Sequence, residues 1–349
     1  MKKTLLTILA LTMTIAALAQ PGGRNRKIVS DYPMAHDPVV AFCEGRYYLF
    51  TTGYGVGVMS SADMKTWESE APALSEIPKW ALESVPGYRG HTWAPDIFYH
   101  DGTWYLYYSC SSFGKNSSAI GVATNKTLNP KSPDFKWVDH GPVVESVPGR
   151  DNWNAIDPNV IIDENGDGWM NFGSFWGGIK MVKLDKTLTK VAEPQVWYGL
   201  CYRPEGTLPS YDEPDTAIKP DARGKIFDPG EGAVEAPFIF KKGDWYYLFV
   251  SYDLCCRGEK STYKVVVGRS KKVTGPYVDH KGVSLMEGGG TLVVEGNPQY
   301  AGVGHSATVT FNGKDYLFFH GYDMKDASRA HLMIREITWN ADGWPKVTL

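Results

Sequence analysis

An all-β fold, a five-bladed β-propeller, is predicted by three observations. One strand–turn–strand unit recurs five times, aromatic residues crowd its second strand, and capped amphipathic helical stretches are nearly absent. The first copy reads Asp37-Pro38-Val39-Val40, a turn at Gly45, then Tyr47-Tyr48-Leu49-Phe50. The second reads Ala94-Pro95-Asp96-Ile97, a turn at Asp101-Gly102, then Trp104-Tyr105-Leu106-Tyr107. The third, Asp157-Pro158-Asn159-Val160-Ile161, has a longer turn from Asp163 to Gly168 before Trp169-Met170-Asn171-Phe172. The fourth runs from Glu235-Ala236-Pro237-Phe238-Ile239 past Gly243 to Trp245-Tyr246-Tyr247-Leu248. The fifth runs from His305-Ser306-Ala307-Thr308-Val309 past Asn312-Gly313 to Tyr316-Leu317-Phe318.

Each copy has the pattern of a β-hairpin. Further strands are expected at 57–61, 119–124, 178–184 and 263–270, and one short helix around 75–83. Units of this size cannot bury both faces alone, and radial stacking covers them while leaving few exposed edges. A β-sandwich, the competing architecture, rarely repeats one motif five times.

Residues 1–19 read as a secretory signal peptide: Lys2-Lys3, an apolar run from Leu5 to Leu18, and a small-residue exit before Gln20. The run is shorter than the roughly 20 apolar residues of a spanning helix. The expectation is a secreted or periplasmic monomer whose residues 20–349 form one propeller domain. The formal charge is −3, or −5 without the two signal lysines, and no basic cluster points to nucleic acid or to an anionic membrane. Five cysteines are an odd number, and a core of this size needs no disulfide staples; Cys255 and Cys256 are expected as free thiols rather than as a vicinal disulfide.

Aligned on the turn glycine, one slot falls eight residues upstream in four copies and holds Asp37, Ala94, Glu235 and His305, with Asp157 in the corresponding place of the lengthened third copy. In a propeller the first strand of each blade lines the central channel, so these side chains converge. Asp-Pro and similar dipeptides also begin strands without any catalytic role. Ionisable groups in four of five equivalent slots oppose stability, and folds keep such clusters where they use them. Paired carboxylates suit glycosidic bond cleavage, one protonating the leaving oxygen while another activates water or attacks the anomeric carbon.

With these residues in view, the chain resembles the arabinanase-like enzymes of glycoside hydrolase family 43 from about His36 to Lys346. The matching pieces are His36-Asp37-Pro38, Trp93-Ala94-Pro95-Asp96-Ile97, Tyr107-Tyr108-Ser109 through Phe113-Gly114 to Ser118-Ala119-Ile120-Gly121, Asn154-Ala155-Ile156-Asp157-Pro158, Phe172-Gly173-Ser174-Phe175-Trp176, Glu235-Ala236-Pro237 and Gly304-His305-Ser306. The resemblance implies inverting hydrolysis of α-1,5-linked L-arabinofuranosyl chains, with Asp37 as general base, Glu235 as general acid and Asp157 tuning and orienting Glu235. It also implies a calcium ion in the channel, with His305 as protein ligand and waters supplying most other contacts. Calcium ordinarily prefers oxygen ligands, and a histidine bonded to carboxylates without metal is the alternative.

Trp93 and Phe113 are candidates for stacking on sugar rings. Asn154, Ile156 and Ser174 could shape the subsite beside the scissile bond or pack behind it, and Trp176 is expected in the core. Asp163 to Gly168 resembles the opening of an EF-hand loop, but the closing position holds Ser174 and no helices flank it, so a hairpin turn is expected. The turn-rich stretch 194–232, with Arg203, Tyr211, Asp221 and Arg223, is expected to wall one side of the cleft. An α-L-arabinofuranosidase or β-xylosidase of the same family is the alternative within enzymes. A non-catalytic carbohydrate-binding propeller would usually lose one of the three carboxylates.

Overall fold

The computed structural model describes residues 27–203 and 233–349. The expected signal segment, and Tyr211, Asp221 and Arg223, lie outside the described residues. Five antiparallel sheets follow one another along the chain. The first blade is built from Val39–Cys43, Arg46–Thr51, Gly57–Ser61 and Trp67–Ser69, with Val29–Ser30 added outside. The second comprises His91–His100, Thr103–Cys110, Ser118–Asn125 and Val138–Ser146. The third comprises Asn159–Ile162, Gly168–Phe172, Ile179–Lys183 and Trp197–Cys201. The stretch read from sequence as turn-rich from residue 194 therefore begins with the outer strand of this blade. Val234–Lys242, Trp245–Tyr252, Lys264–Ser270 and Thr291–Glu295 make the fourth.

The fifth blade has three strands of its own, Tyr300–Phe311, Lys314–Asp323 and Arg329–Glu336. Its outer edge is met by the N-terminal segment. Met34 bridges His331, the Ala35 N–H donates to the Ala330 carbonyl at 3.1 Å, and the Leu332 N–H donates to the Pro33 carbonyl at 3.0 Å. Each innermost strand touches the next, and the fifth touches the first, so the ring is closed. The short helix lies at Lys79–Ser84, and no helix of the described residues is long and apolar enough to cross a membrane.

Why the middles of the second strands are apolar on both faces follows from the ring. Successive side chains of a strand point to opposite faces, and here both faces are covered by a neighbouring blade. Tyr246, Leu248 and Val250 pack with Ile179 and Met181 of the third blade. Tyr247 and Phe249 pack with Leu317 and Phe319 of the fifth. The other three seams have their own clusters, centred on Tyr48 and Leu106, on Tyr107 and Phe172, and on Leu49 and Phe318. Burying one such Leu or Phe contributes about 1.5–3 kcal/mol.

Polar ties cross the same seams. Asp96 Oδ2 accepts the Val160 N–H at 2.8 Å, and burial pushes the Asp96 carboxyl up to about 7. Asn159 Oδ1 accepts the Ile239 N–H at 2.9 Å and an amide hydrogen of Asn171 at 3.0 Å. A buried N–H left without its acceptor costs about 1–3 kcal/mol. Asn159→Ala is therefore expected to lower stability by about that much in urea unfolding, although it removes little apolar surface; an unchanged midpoint would show that these ties do not hold the third and fourth blades together.

Candidate active site

The hairpin turns explain the geometry of the site and correct its register. In the first, second and fifth blades the two turn residues both have positive φ: Glu44 (48°) and Gly45 (81°), Asp101 (45°) and Gly102 (74°), Asn312 (52°) and Gly313 (76°). These are the mirror-image turns that match strand twist, with glycine second. In the fourth blade Gly243 (56°) takes the first turn position, before Asp244. Alignment on the glycine therefore misplaces that blade by one residue. The structural equivalents of Asp37 are Ala94, Asp157, Ala236 and His305, each two residues before the first regular pair of its hairpin (Val39, Asp96, Asn159, Phe238, Ala307). Glu235 stands one residue earlier, level with His36, Trp93, Ile156 and Gly304.

Asp37 (55°), Asp157 (58°), Ala236 (55°) and His305 (51°) all lie in the left-handed region, which L residues rarely adopt. Each has its backbone N–H held by a side chain of the preceding blade. The Asp37 N–H donates to His320 Nδ1 at 3.2 Å, that of Asp157 to Ser109 Oγ at 3.0 Å, that of His305 to Ser251 Oγ at 2.9 Å, and that of Ala236 to Asp157 Oδ2 at 3.1 Å. Bulges at this level in the second, fourth and fifth blades turn the strands toward the axis.

Asp37, Asp157 and Glu235 are all buried and meet here with His305. Asp37 Oδ1 lies 3.0 Å from His305 Nδ1 and 2.8 Å from His36 Nδ1, while Thr52 donates to Oδ2 at 2.5 Å. Burial alone would raise the Asp37 carboxyl, but the His305 and His36 imidazoles outweigh it and hold it well below the usual range. Asp157 has no such pairing. Burial pushes it up to about 8, with His305 opposing and the Glu235 and Asp37 charges adding to the rise. For His305, burial acts downward, and Asp37 and Asp157 together overcome it to lift the imidazole to about 9. Ser174 Oγ donates to Glu235 Oε2 at 2.7 Å, and the two residues pair through their backbones.

The remaining candidates divide. Trp93 is half-buried opposite Ser109, one residue before the slot, and Phe113 is 79% exposed on a turn of the second blade. Asn154 accepts the Ser118 hydroxyl at 2.6 Å, and the Ile156 carbonyl accepts the Gly173 N–H, so both brace the approach to Asp157 from behind. Trp176, expected in the core, is half-buried in a left-handed turn beside Phe175. Asp163 to Gly168 is a hairpin turn, with Asp163 accepting from the Asn165 and Asp167 N–H groups and from the Trp169 indole. Arg203 is ion-paired with Asp253, under the wall of the fourth blade. All five cysteines are free, and Cys256 Sγ lies 3.8 Å from His36 Nε2.

Sequence reasoning missed His36, Thr52 and His320. Thr52, Ser109 and His320 each fall seven residues after their turn glycine, and Ser251 falls eight after the shifted one. The same repeat, carried into the second strand, holds that signal. His36, Asp37 and His320 present one ligand atom each within 4.8 Å of one another, a cluster that could chelate a metal ion. His320 Nε2, Ser306 Oγ, Thr308 Oγ1 and Tyr263 Oη are buried without a protein partner, which suits a channel filled with ordered water.

Residues 32–345 match the family model described as glycosyl hydrolases family 43. Among curated proteins, the extracellular exo-alpha-(1->5)-L-arabinofuranosidase ArbA of Cellvibrio japonicus is 48% identical over 312 residues, covering 89% of this chain and 86% of the relative. The extracellular endo-alpha-(1->5)-L-arabinanase 1 of Bacillus subtilis is 39% identical, covering 89% and 87%. Among solved structures, the alpha-L-arabinanase of Cellvibrio cellulosa complexed with arabinohexaose superposes with a TM-score of 0.83 at 47% identity, covering 91% of this chain and 96% of the other.

The charges of the site set a stability trend with pH. His305 titrates at about 9 in the folded chain and near 6.5 when unfolded. Its contribution is therefore fully present below 6.5 and is lost as pH rises through 9. Calorimetric melting of the native chain and of His305→Gln should show a gap favouring the native chain that is widest near pH 6 and narrows toward pH 9; a gap that widens with pH would contradict this charge assignment.

Proposed function

The chain belongs to glycosyl hydrolase family 43, and from that membership we propose that it is an extracellular, inverting glycosidase that cleaves α-1,5-linked L-arabinofuranosyl chains, arabinan and arabino-oligosaccharides. The observation that carries this reading is the convergence of three buried carboxylates with opposed environments on one imidazole. Both curated relatives quoted above carry α-(1->5) arabinose-polymer activity in their names, one exo and one endo.

Asp37, held ionised by His305 and His36, takes the proton of a water that attacks the anomeric carbon. Glu235, fixed by Ser174 and by the Asp157–Ala236 bond next to it, gives its proton to the departing sugar oxygen. The carbon–oxygen bond to the leaving chain breaks as the bond to water forms on the opposite face, so the configuration inverts. Asp157, whose carboxyl burial raises beside Glu235, orients Glu235 through the neighbouring Ala236 N–H. Trp93 and Phe113 supply ring faces for the sugar chain.

Calcium is the cation this reading places in the channel, with His305 and ordered waters around it. The orphaned buried hydroxyls and the excess of carboxylates fit a hydrated, hard cation. Such an ion supplies positive charge that steadies the carboxylates. With Nδ1 held by Asp37, Nε2 is the atom that would hold an ion, and it would do so only by giving up its proton.

Linear arabinan digested to completion should give arabinose oligomers whose size profile over time separates exo from endo attack; intact arabinan alongside cleaved nitrophenyl arabinofuranoside or xyloside would instead favour the arabinofuranosidase or β-xylosidase alternative. Glu235→Ala should lose about 10²–10⁴-fold in rate on arabinan while retaining much of its rate on aryl glycosides with good leaving groups. Asp37→Asn should lose both. Equal losses on the two substrates in Glu235→Ala would remove Glu235 as the acid.

A further inference from the structure

Away from the catalytic channel, a lateral groove of about 860 Å³ lies between the outer strands of the second and third blades. That volume lies within the roughly 300–1,000 Å³ of sites that bury most of a small ligand. Its floor is a pair of stacked indoles, Trp153 and Trp197, with centroids 5.0 Å apart and planes inclined by 27°. Both are half-buried beside the seam cluster instead of within it. Their N–H groups are already spent, that of Trp153 on the Glu145 carbonyl at 3.1 Å and that of Trp197 on Gln195 Oε1 at 2.9 Å. What the rings offer a ligand is therefore apolar face and edge. The Tyr198 ring turns to the other face of the blade, onto Trp169.

The charges lining the groove cancel, two cations (Arg150, Lys180) against two anions (Glu145, Asp151). Arg150 is paired with Asp151 at 2.7 Å, and the Lys180 ammonium donates to the Gly177 carbonyl at 2.8 Å. A polyanion finds no unspent positive field here. A neutral, polyhydroxylated chain finds ring faces for its C–H groups and the exposed Gln195 amide and Glu145 carboxylate for its hydroxyls. One end of the groove is formed by residues 150–153, which run directly into Asn154 and Asp157, and Asn152 accepts the Gly177 N–H at 2.7 Å, three residues beyond Ser174. The groove at the rim and the catalytic channel at the axis are thus joined by one short stretch of chain.

We infer that this groove is an accessory glycan-binding site that holds a neutral pentosan segment, an α-1,5-linked arabinofuranosyl run, of the polymer whose other part enters the catalytic channel. The identity of the sugar rests on the reading of the catalytic site given above. A second foothold of this kind raises the effective concentration of the polymer at the channel without any change in the chemistry.

The test uses the full-length chain with Asp37→Asn to stop turnover, run in native gels containing soluble linear arabinan and titrated calorimetrically with arabinohexaose. The inference expects two binding sites per chain, and a retardation about tenfold weaker when Trp197→Ala is added. Because Trp197 also packs against Phe172, the exposed pair Glu145→Ala and Gln195→Ala serves as a second variant, with melting temperature as the folding control. One binding site, or retardation unchanged in the folded double variant, overturns the inference and leaves the arabinan reading standing. Failure of the intact enzyme to cut linear arabinan overturns that reading itself, whatever the gels show.

Discussion

Four backbone N–H groups, each belonging to a residue in left-handed conformation and each held by a side chain from the blade before it, fix the geometry on which the site depends. A left-handed Asp or His costs free energy that a strand would not pay spontaneously. The hydrogen bond from the neighbouring blade offsets that cost, and it forms only when the two blades are docked. Strand conformation, blade packing and side-chain convergence are therefore one event. The hydrophobic seams set the spacing, and the polar bonds choose which way each side chain turns.

The electrostatics follow from that convergence. Three carboxylates brought together without relief would repel one another, and the fold relieves them unequally. Asp37 receives two imidazoles and a hydroxyl, while Asp157 receives burial and one backbone N–H from Ala236. The same residue type is thus held below its usual range in one blade and raised above it in another. Repetition supplies equivalent positions, and the residues of the following strand, Thr52, Ser109, Ser251 and His320, make them inequivalent.

Much of this was legible in the sequence, because the repeat is visible residue by residue and a propeller converts equivalent positions into neighbours. The five hairpins, the third strands of the first four blades and the gathering of Asp37, Asp157, Glu235 and His305 could all be read from it, while the fifth blade's third strand, Arg329–Glu336, was not. The register of Glu235 could not be read from its glycine, since a turn with glycine in first position and one with glycine in second position look alike as letters. Gly243 in first position moves Ala236 into the slot and Glu235 one residue before it. His320 was hidden for a different reason. Its role is to accept the N–H of Asp37, 283 residues away in sequence, and nothing local marks a buried histidine as a backbone acceptor. The outer strand Trp197–Cys201 was masked by the turn-rich composition around it, because its pairing comes from Ile179–Lys183 and not from its own pattern.

The segment from Pro33 to Ala35 completes the fifth blade and ends only two residues before Asp37. The residue that receives Asp37, His320, belongs to the last blade to be synthesised. The seat of Asp37 therefore cannot form before the fifth blade arrives: a chain stalled or clipped short of that blade leaves the Asp37 N–H without its acceptor, so closing the ring and setting the site are one step.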